Sequence, residues 1–191
     1  LYSRSTADGD LIALCEDRVL KILANKDAVF NADGNINLVA TDNVLGQAIP
    51  YSGEYGISKN PESFASEAYR VYFADKQRGA VLRLSRDGLT PISDFGMKNW
   101  FRDNLKTNQI IGSYDDKKDQ YNITTRDIAE TSTFNNTVTF KENVKGWVSF
   151  KSFIPENAIS CGNEYYTFMH GELWKHHADI EDNRNIFYGN T

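Results

Sequence analysis

The chain is poor in the residues from which covalent and metal-bound frameworks are built: two cysteines, three histidines and four prolines in 191 residues. Cys15 and Cys161 lie far apart, with no CxxC and no Cys/His ligand spacing, so neither a redox motif nor a zinc motif is spelled out. Two small buried thiols are expected instead. No apolar run approaches the ~20 residues that span a bilayer, so membrane insertion is not expected. Leu11 to Cys15 has the outline of a lipoprotein cleavage box. However, the residue before the cysteine is not small and no basic-then-apolar run precedes it, so LIALC reads as a buried strand. GxSxG, HExxH, GxGxxG and GxxxxGK[ST] are all missing, which removes the motif grounds for an acyl-transfer, metalloprotease or nucleotide site. The 21 Lys and Arg are interspersed among 26 Asp and Glu, for a net charge of −5. Without a basic block, sequence-independent gripping of phosphates is not the expected mode of action.

What the chain has in quantity is aromatic side chains: 11 Phe, 10 Tyr and 3 Trp. Flat rings pack well on pleated faces, and 13 glycines supply the turns. The clearest piece of architecture is Tyr69 to Ser93, where Val71 and Phe73, then Val81 and Leu84, fall in two strands around the polar turn Asp75 to Gly79. Asp87-Gly88 is a second turn, and Leu89 to Ile92 begins a third strand. Gly79 and Gly88 are expected at positive φ. Val71 and Phe73 are expected on one side, opposite Val81 or Leu84. Lys76, Arg78, Arg83 and Arg86 read as a solvated face of this hairpin.

The same grammar recurs. Val19 to Leu23, a turn at Asn25 to Asp27, Ala28 to Phe30, a turn at Ala32 to Asn35, and Ile36 to Ala40 follow one another. Asn31, Asp33 and Asn35 alternate like the start of a calcium loop, but glycine stands fourth instead of sixth and Asp42 occupies the twelfth place, so a hairpin turn is the better reading. From Thr41 to Ala68 the periodicity weakens into a loop, which Tyr51, Tyr55 and Phe64 should tie to a core. Phe95, Met97, Trp100, Phe101 and Leu105 fit one short helix near 95 to 105. The letters Asp94-Phe95-Gly96 match a kinase motif without any of its companions. Ile110 to Thr125 is a hairpin, whose Asp115, Asp116 and Asp119 could hold a cation, although Lys117 and Lys118 compete for them. Thr137 to Phe140 and Gly146 to Phe153 form the next pair. The second of these, with bulk on both faces, reads as a strand buried on both sides. Glu164 to His177 is a last hairpin about His170-Gly171, and Asp179 to Thr191 trails off in polar residues.

The expected fold is therefore mainly β: antiparallel meanders forming β-propeller blades, with one short helix, in a single domain over 1 to 191. About three or four blades fit this length, fewer than most closed propellers use. With Leu1 in place of an initiator methionine, the chain is expected to be a piece of a longer polypeptide or a processed one. His170, His176 and His177 share a hairpin, but adjacent histidines on a strand point to opposite faces, so solvent or core roles are expected. No catalytic, cofactor-binding or metal-ligating residue is singled out, and no cofactor is expected.

The strings CEDRVLKILANKDAVFNADGN, GEYGISKNPESF, YRVYFADKQRGAVLRLSRDGLTPIS, IIGSYDDKKDQYNITT, GWVSFKSFIPENAIS and NEYYTFMHGELWKHH resemble a family of large virion structural proteins of tailed bacteriophages. These are the β-propeller-containing nozzle, muzzle or packaged-DNA stabilisation proteins that close the distal end of the tail. The resemblance implies a non-enzymatic virion component that meets other copies of itself in a ring, neighbouring tail proteins and packaged DNA in the tail lumen, and it supplies no catalytic residues. Blade edges and the Tyr51 to Phe64 loop are then the candidate subunit contacts. The rival reading is a carbohydrate-binding or carbohydrate-cleaving propeller with Trp100, Trp147 and Trp174 as stacking rings beside acidic turns. Buried rings are the commoner use of tryptophan.

Overall fold

In the computed structural model, residues 2–5, 9–127, 135–178 and 186–189 are described. Contacts divide the chain into two units, Leu1–Ser58 and Lys59–Thr191. The first is one antiparallel sheet laid down in chain order: β1 (Tyr2–Ser5), β2 (Leu11–Leu14), β3 (Val19–Phe30) and β4 (Ile36–Pro50). As expected, LIAL is a buried strand; Leu14, Val19 and Leu23 are each 1% exposed. Asp10, fully buried, is held by Lys21 and Lys26 at 2.9 Å each. Burial alone would raise its pKa, but the hydrogen bonds from Lys26 and Lys21 and from the Ala24 amide outweigh that and lower it.

The expected reversal at Asn25 to Asp27 does not occur, and the loop expected from Thr41 is strand as far as Pro50. Both stretches of turn-type residues lie instead at one irregularity of a continuous ribbon. Ala24 pairs with Leu45 and Lys26 with Ala40, so Asn25 alone stands opposite Thr41 to Val44. Asn25 takes a φ of 55°, as an Asn at a bulge can. Gly46 is needed because a Cβ there would lie 2.3 Å from the Lys26 carbonyl oxygen. The hairpin reading of Asn31 to Asn35 holds: the Asn31 side chain accepts the Asn35 amide at 2.8 Å, and Gly34 has a φ of 79°. After β4 the backbone returns along the β2–β3 turn, with Ile57 N–H donating to Cys15 O and Ser58 N–H to Glu16 O.

Among the described residues the second unit contains three sheets, each again a meander. The first is β5 (Ala65–Ser66), β6 (Val71–Asp75), β7 (Ala80–Ser85) and β8 (Gly88–Pro91). The next is β9 (Gln109–Asp115), β10 (Gln120–Arg126), β11 (Asn136–Lys141) and β12 (Gly146–Lys151). The last is β13 (Asn157–Cys161), β14 (Glu164–Met169) and β15 (Glu172–Lys175). The expected helix is α1, Lys98–Asn104, with Phe101 fully buried. Gly79 and Gly88 have φ of 62° and 106°. In the β6–β7 register Val71 faces Leu84 and Phe73 faces Leu82. Val81 sits across from Ala74, on the other face with Tyr72, because a side chain one position along a strand points the opposite way. β12 also departs from expectation: Val148 is 43% and Phe150 57% exposed, so this outer strand is not buried on both faces. Both cysteines are free, but Cys15 is only half-buried and Cys161 is exposed, since odd positions of β13 face outward.

The fold is thus mainly β, with antiparallel sheets. Tyr72, Ala74 and Val81 of one sheet close on Ile110, Tyr114, Tyr121, Ile123, Val138 and Phe140 of the next, with Phe101 and Leu105 in the same core. Tyr72 stacks on Tyr121 at 4.7 Å and on Tyr114 at 5.8 Å between ring centroids.

Candidate functional site

Strand alternation gives β9, β10 and β11 two unlike buried faces. Ile110, Tyr114, Tyr121, Ile123, Val138 and Phe140 make the apolar one. The opposite face presents Ser113, Asp115, Gln120, Asn122, Thr124, Thr137 and Thr139, none more than 5% exposed. This polar face must find its hydrogen bonds inside the protein, and it meets the β13–β15 sheet and its flanks. Thr124 and Thr137 hydroxyls lie 2.8 Å apart, and Thr137 donates to the Phe153 carbonyl at 2.7 Å. Thr139 donates to Asn122 at 2.7 Å, and Ser113 joins the Tyr165 hydroxyl at 2.7 Å.

At one end of this seam Asp115 is the most heavily used group. Its carboxylate accepts the Lys118 amide at 3.1 Å and lies 2.6 Å from His177 Nε2. His176 points inward beside it, 2.7 Å from Thr167 Oγ1 through Nε2. Tyr188 donates to that same Oγ1 at 3.0 Å. Burial, reinforced by the neighbouring His177, pushes the His176 pKa down to about 4, so the ring is neutral at pH 7. These groups are positioned to fasten a sheet.

The three histidines therefore divide: His170 stands exposed in its turn with a φ of 54°, His176 is in the core, and His177 is tied to Asp115. Asp115, Asp116 and Asp119 do not converge on a cation position. The Asp119 carboxylate accepts the Tyr114 hydroxyl, and the Asp116 amide donates to Ser160 Oγ at 3.1 Å while burial raises its carboxyl pKa. Among the described residues no group of three His, Cys, Asp or Glu could hold a metal ion.

The tryptophans are half-buried among other rings. Trp147 donates Nε1–H to the Ile92 carbonyl at 3.0 Å and lies 4.5 Å from Phe101. Trp100 packs edge-on against Phe101 and Phe150, and Trp174 against Tyr188. Of the four basic residues read as a solvated face, Arg86 is exposed, but Arg83 is a half-buried partner of Glu142 at 2.8 Å, and Lys76 donates to the Thr107 carbonyl at 2.6 Å. Glu142 also accepts the Tyr72 hydroxyl at 2.9 Å. Seventy residues separate Tyr72 from Glu142, and no local pattern in the sequence marks the pair. In the Tyr51 to Phe64 loop the three aromatics are half-buried, while Gly56, Ile57, Ser58, Asn60 and Ser63 are the buried members.

A second feature is visible only in the structure. Val29, Phe30, Ile36, Leu38 and Val39 of the β3–β4 ribbon, and Ile159, Phe168 and Leu173 of the β13–β15 sheet, are large apolar side chains left 39% to 60% exposed. Their β-strand propensity is legible in the sequence, but their exposure follows from where neighbouring strands stop.

A family model described as Crassvirus muzzle protein matches residues 9–171. No curated protein matches the chain. Among solved structures the chain is similar to the crystal structure of selenomethionine-substituted virginiamycin B lyase from Staphylococcus aureus, with 11% identity and a TM-score of 0.42 over 94% of this chain and 55% of that one. It thus spans about half the length of that lyase.

Proposed function

We propose that this chain, which belongs to the Crassvirus muzzle protein family and is a structural protein of the phage virion, helps to close the distal end of the tail by assembly and without catalysis. Its antiparallel meanders serve as propeller blades. Copies of the chain meet one another in a ring, and their outer surfaces meet neighbouring tail proteins. The observation that carries this reading is the middle sheet of the second unit, whose strands β9, β10 and β11 are buried on both faces between two other meanders, which is how successive blades stack. The groups that could have carried chemistry, Asp115, His176 and His177, are each engaged in hydrogen bonds that fasten sheets. With a net charge of −5, a wall built of such copies would repel packaged DNA in the lumen and let it slide past. Among the described residues no helix is long and apolar enough to cross a membrane.

Mass measurement of the purified chain and of the intact virion tests the proposal. A ring of copies, or a larger parent protein in the tail, is the expected result. A stable solitary monomer found outside the tail of the intact particle would overturn it.

A further inference from the structure

The distal part of the β3–β4 hairpin lacks the support that the rest of its sheet enjoys. β2 pairs with β3 only from Val19 to Ile22, whereas Lys26 to Phe30 pair with Ile36 to Ala40 and with no other strand among the described residues. A two-stranded ribbon of this kind is marginal in water and offers two open edges. Directly opposed residues share a face, so Phe30, Ile36 and Leu38 make one apolar surface and Val29 and Val39 contribute to the other. Phe30 is 60% and Leu38 58% exposed.

A second unpartnered surface occurs on the same chain. In the β13–β15 register Phe168 lies between Asn157 and Leu173, and Tyr166 between Ile159 and Lys175, so Ile159, Phe168 and Leu173 share the outward face. Ile159 is 55% and Leu173 59% exposed. Exposed Cys161 is on this face too, two positions beyond Ile159.

We propose that these two surfaces are the halves of one contact between copies: the ribbon of one copy lies on the outer face of the β13–β15 sheet of the next. The inference rests on the reading that copies of the chain assemble with each other. Two different surfaces joined in this way make a head-to-tail contact, the kind that repeats around a ring, whereas a ribbon packed on an identical ribbon would stop at a pair. Area is consistent with it. The six side chains that face the contact carry on the order of 600 Å² of apolar surface, and flanking backbone and polar rim bring the contact to the ~1,000 Å² that a specific interface must clear. The charged residues on these faces already have partners, Lys175 with Glu164 at 3.3 Å and Lys26 with Asp10 at 2.9 Å, so burial beside them leaves no unpaired charge.

The double variant Phe30→Ser/Leu38→Ser alters only exposed positions, and circular dichroism should show the parent's sheet signal. Its assembly, followed by mass photometry over a range of concentrations, should be weakened tenfold or more. In a Cys15→Ser background, Leu38→Cys should form disulfides with Cys161 of a neighbouring copy under mild oxidation and give a ladder of covalent multimers, which Cys161→Ser abolishes. Three results overturn the inference while leaving assembly itself intact: an unchanged association of the double variant, a covalent dimer that persists in Cys161→Ser, or ribbon cross-links in the virion that lead only to a different protein. A parent chain that is monomeric at every concentration and in the virion overturns the assembly reading as well.

Discussion

At the scale of single residues, two positions have consequences that can be measured. Gly112 lies in β9 where the turn Pro61–Ser63 crosses it, and a Cβ built on Gly112 would lie 1.9 Å from the Ser63 carbonyl oxygen. That turn is held in place, because Ser63 Oγ accepts the Ala74 amide at 3.0 Å and the Ser63 carbonyl accepts the Tyr121 hydroxyl at 3.2 Å. Backbone must therefore move in Gly112→Ala, and a loss of ~2–4 kcal/mol is expected in urea unfolding, in the range of overpacked or strained cores. A variant as stable as the parent would show that the turn can lift off β9 freely. The other position is His176. Its pKa falls from 6.5 to about 4 on folding, chiefly through burial. Between those values the unfolded chain binds a proton that the folded chain does not. This contribution is complete above pH 6.5, declines as pH falls, and is lost near pH 4, amounting to at most ~3 kcal/mol. Urea midpoints measured from pH 7 to pH 4 should fall less steeply in His176→Gln than in the parent; parallel slopes would mean that the ring is already solvated.

At the scale of elements, three hairpins of the second unit share one turn. Lys76–Gly79, Asp116–Asp119 and Glu142–Lys145 each span four residues and end in a residue with φ of 62°, 52° and 50° respectively. In the first two the strand's last residue, Asp75 or Asp115, accepts the amide of the third turn residue at 3.0 and 3.1 Å. Only the first supplies glycine at the left-handed position. Lys145 is exposed and holds that conformation at a cost of ~1 kcal/mol. Lys145→Gly should therefore raise the Tm by ~2–4 °C, and a fall would mean that the Lys145 stem packs on its surroundings. The same turns explain how much could be read in advance. Asp-rich loops and Gly-containing pairs between short apolar strands were legible as hairpins, down to Gly79, Gly88 and His170-Gly171, because turn chemistry is local. The β3–β4 ribbon was not. Asn25 and Thr41-Asp42-Asn43 carry the residue types of a reversal, but cross-strand pairing uses them as a bulge. The Asp115 to His177 pair, 62 residues apart in sequence, lies beyond any periodicity.

At the scale of the second unit, its two seams differ in what they bury, and this should set the order in which the unit opens. The first seam joins the β5–β8 and β9–β12 sheets through Tyr72, Val81, Phe101, Tyr121 and Phe140, each no more than 1% exposed. Each such side chain contributes ~1.5–3 kcal/mol by burial. The second seam attaches β13–β15 mainly through polar contacts: Ser113 with Tyr165, Ser160 Oγ donating to the Tyr114 carbonyl at 2.8 Å, Lys117 with Glu164 at 3.0 Å, and Asp115 with His177. A hydrogen bond contributes only ~0.5–1.5 kcal/mol net, and a half-exposed ion pair at most ~1 kcal/mol. Ile111, Phe153 and Tyr165 add apolar burial here, but they are three large residues against the eleven of the first seam. The β13–β15 sheet should accordingly open below the global unfolding free energy, as a cooperative piece of its own. Native-state hydrogen exchange at rising urea should show the amides of Ile159, Tyr165 and Thr167 merging into one low-energy isotherm, while those of Phe73, Ile111 and Ile123 exchange only with global unfolding. If both sets fall on a single isotherm, the polar seam is as strong as the apolar one, and the difference between the two faces of β9–β12 has no energetic consequence for how the unit comes apart.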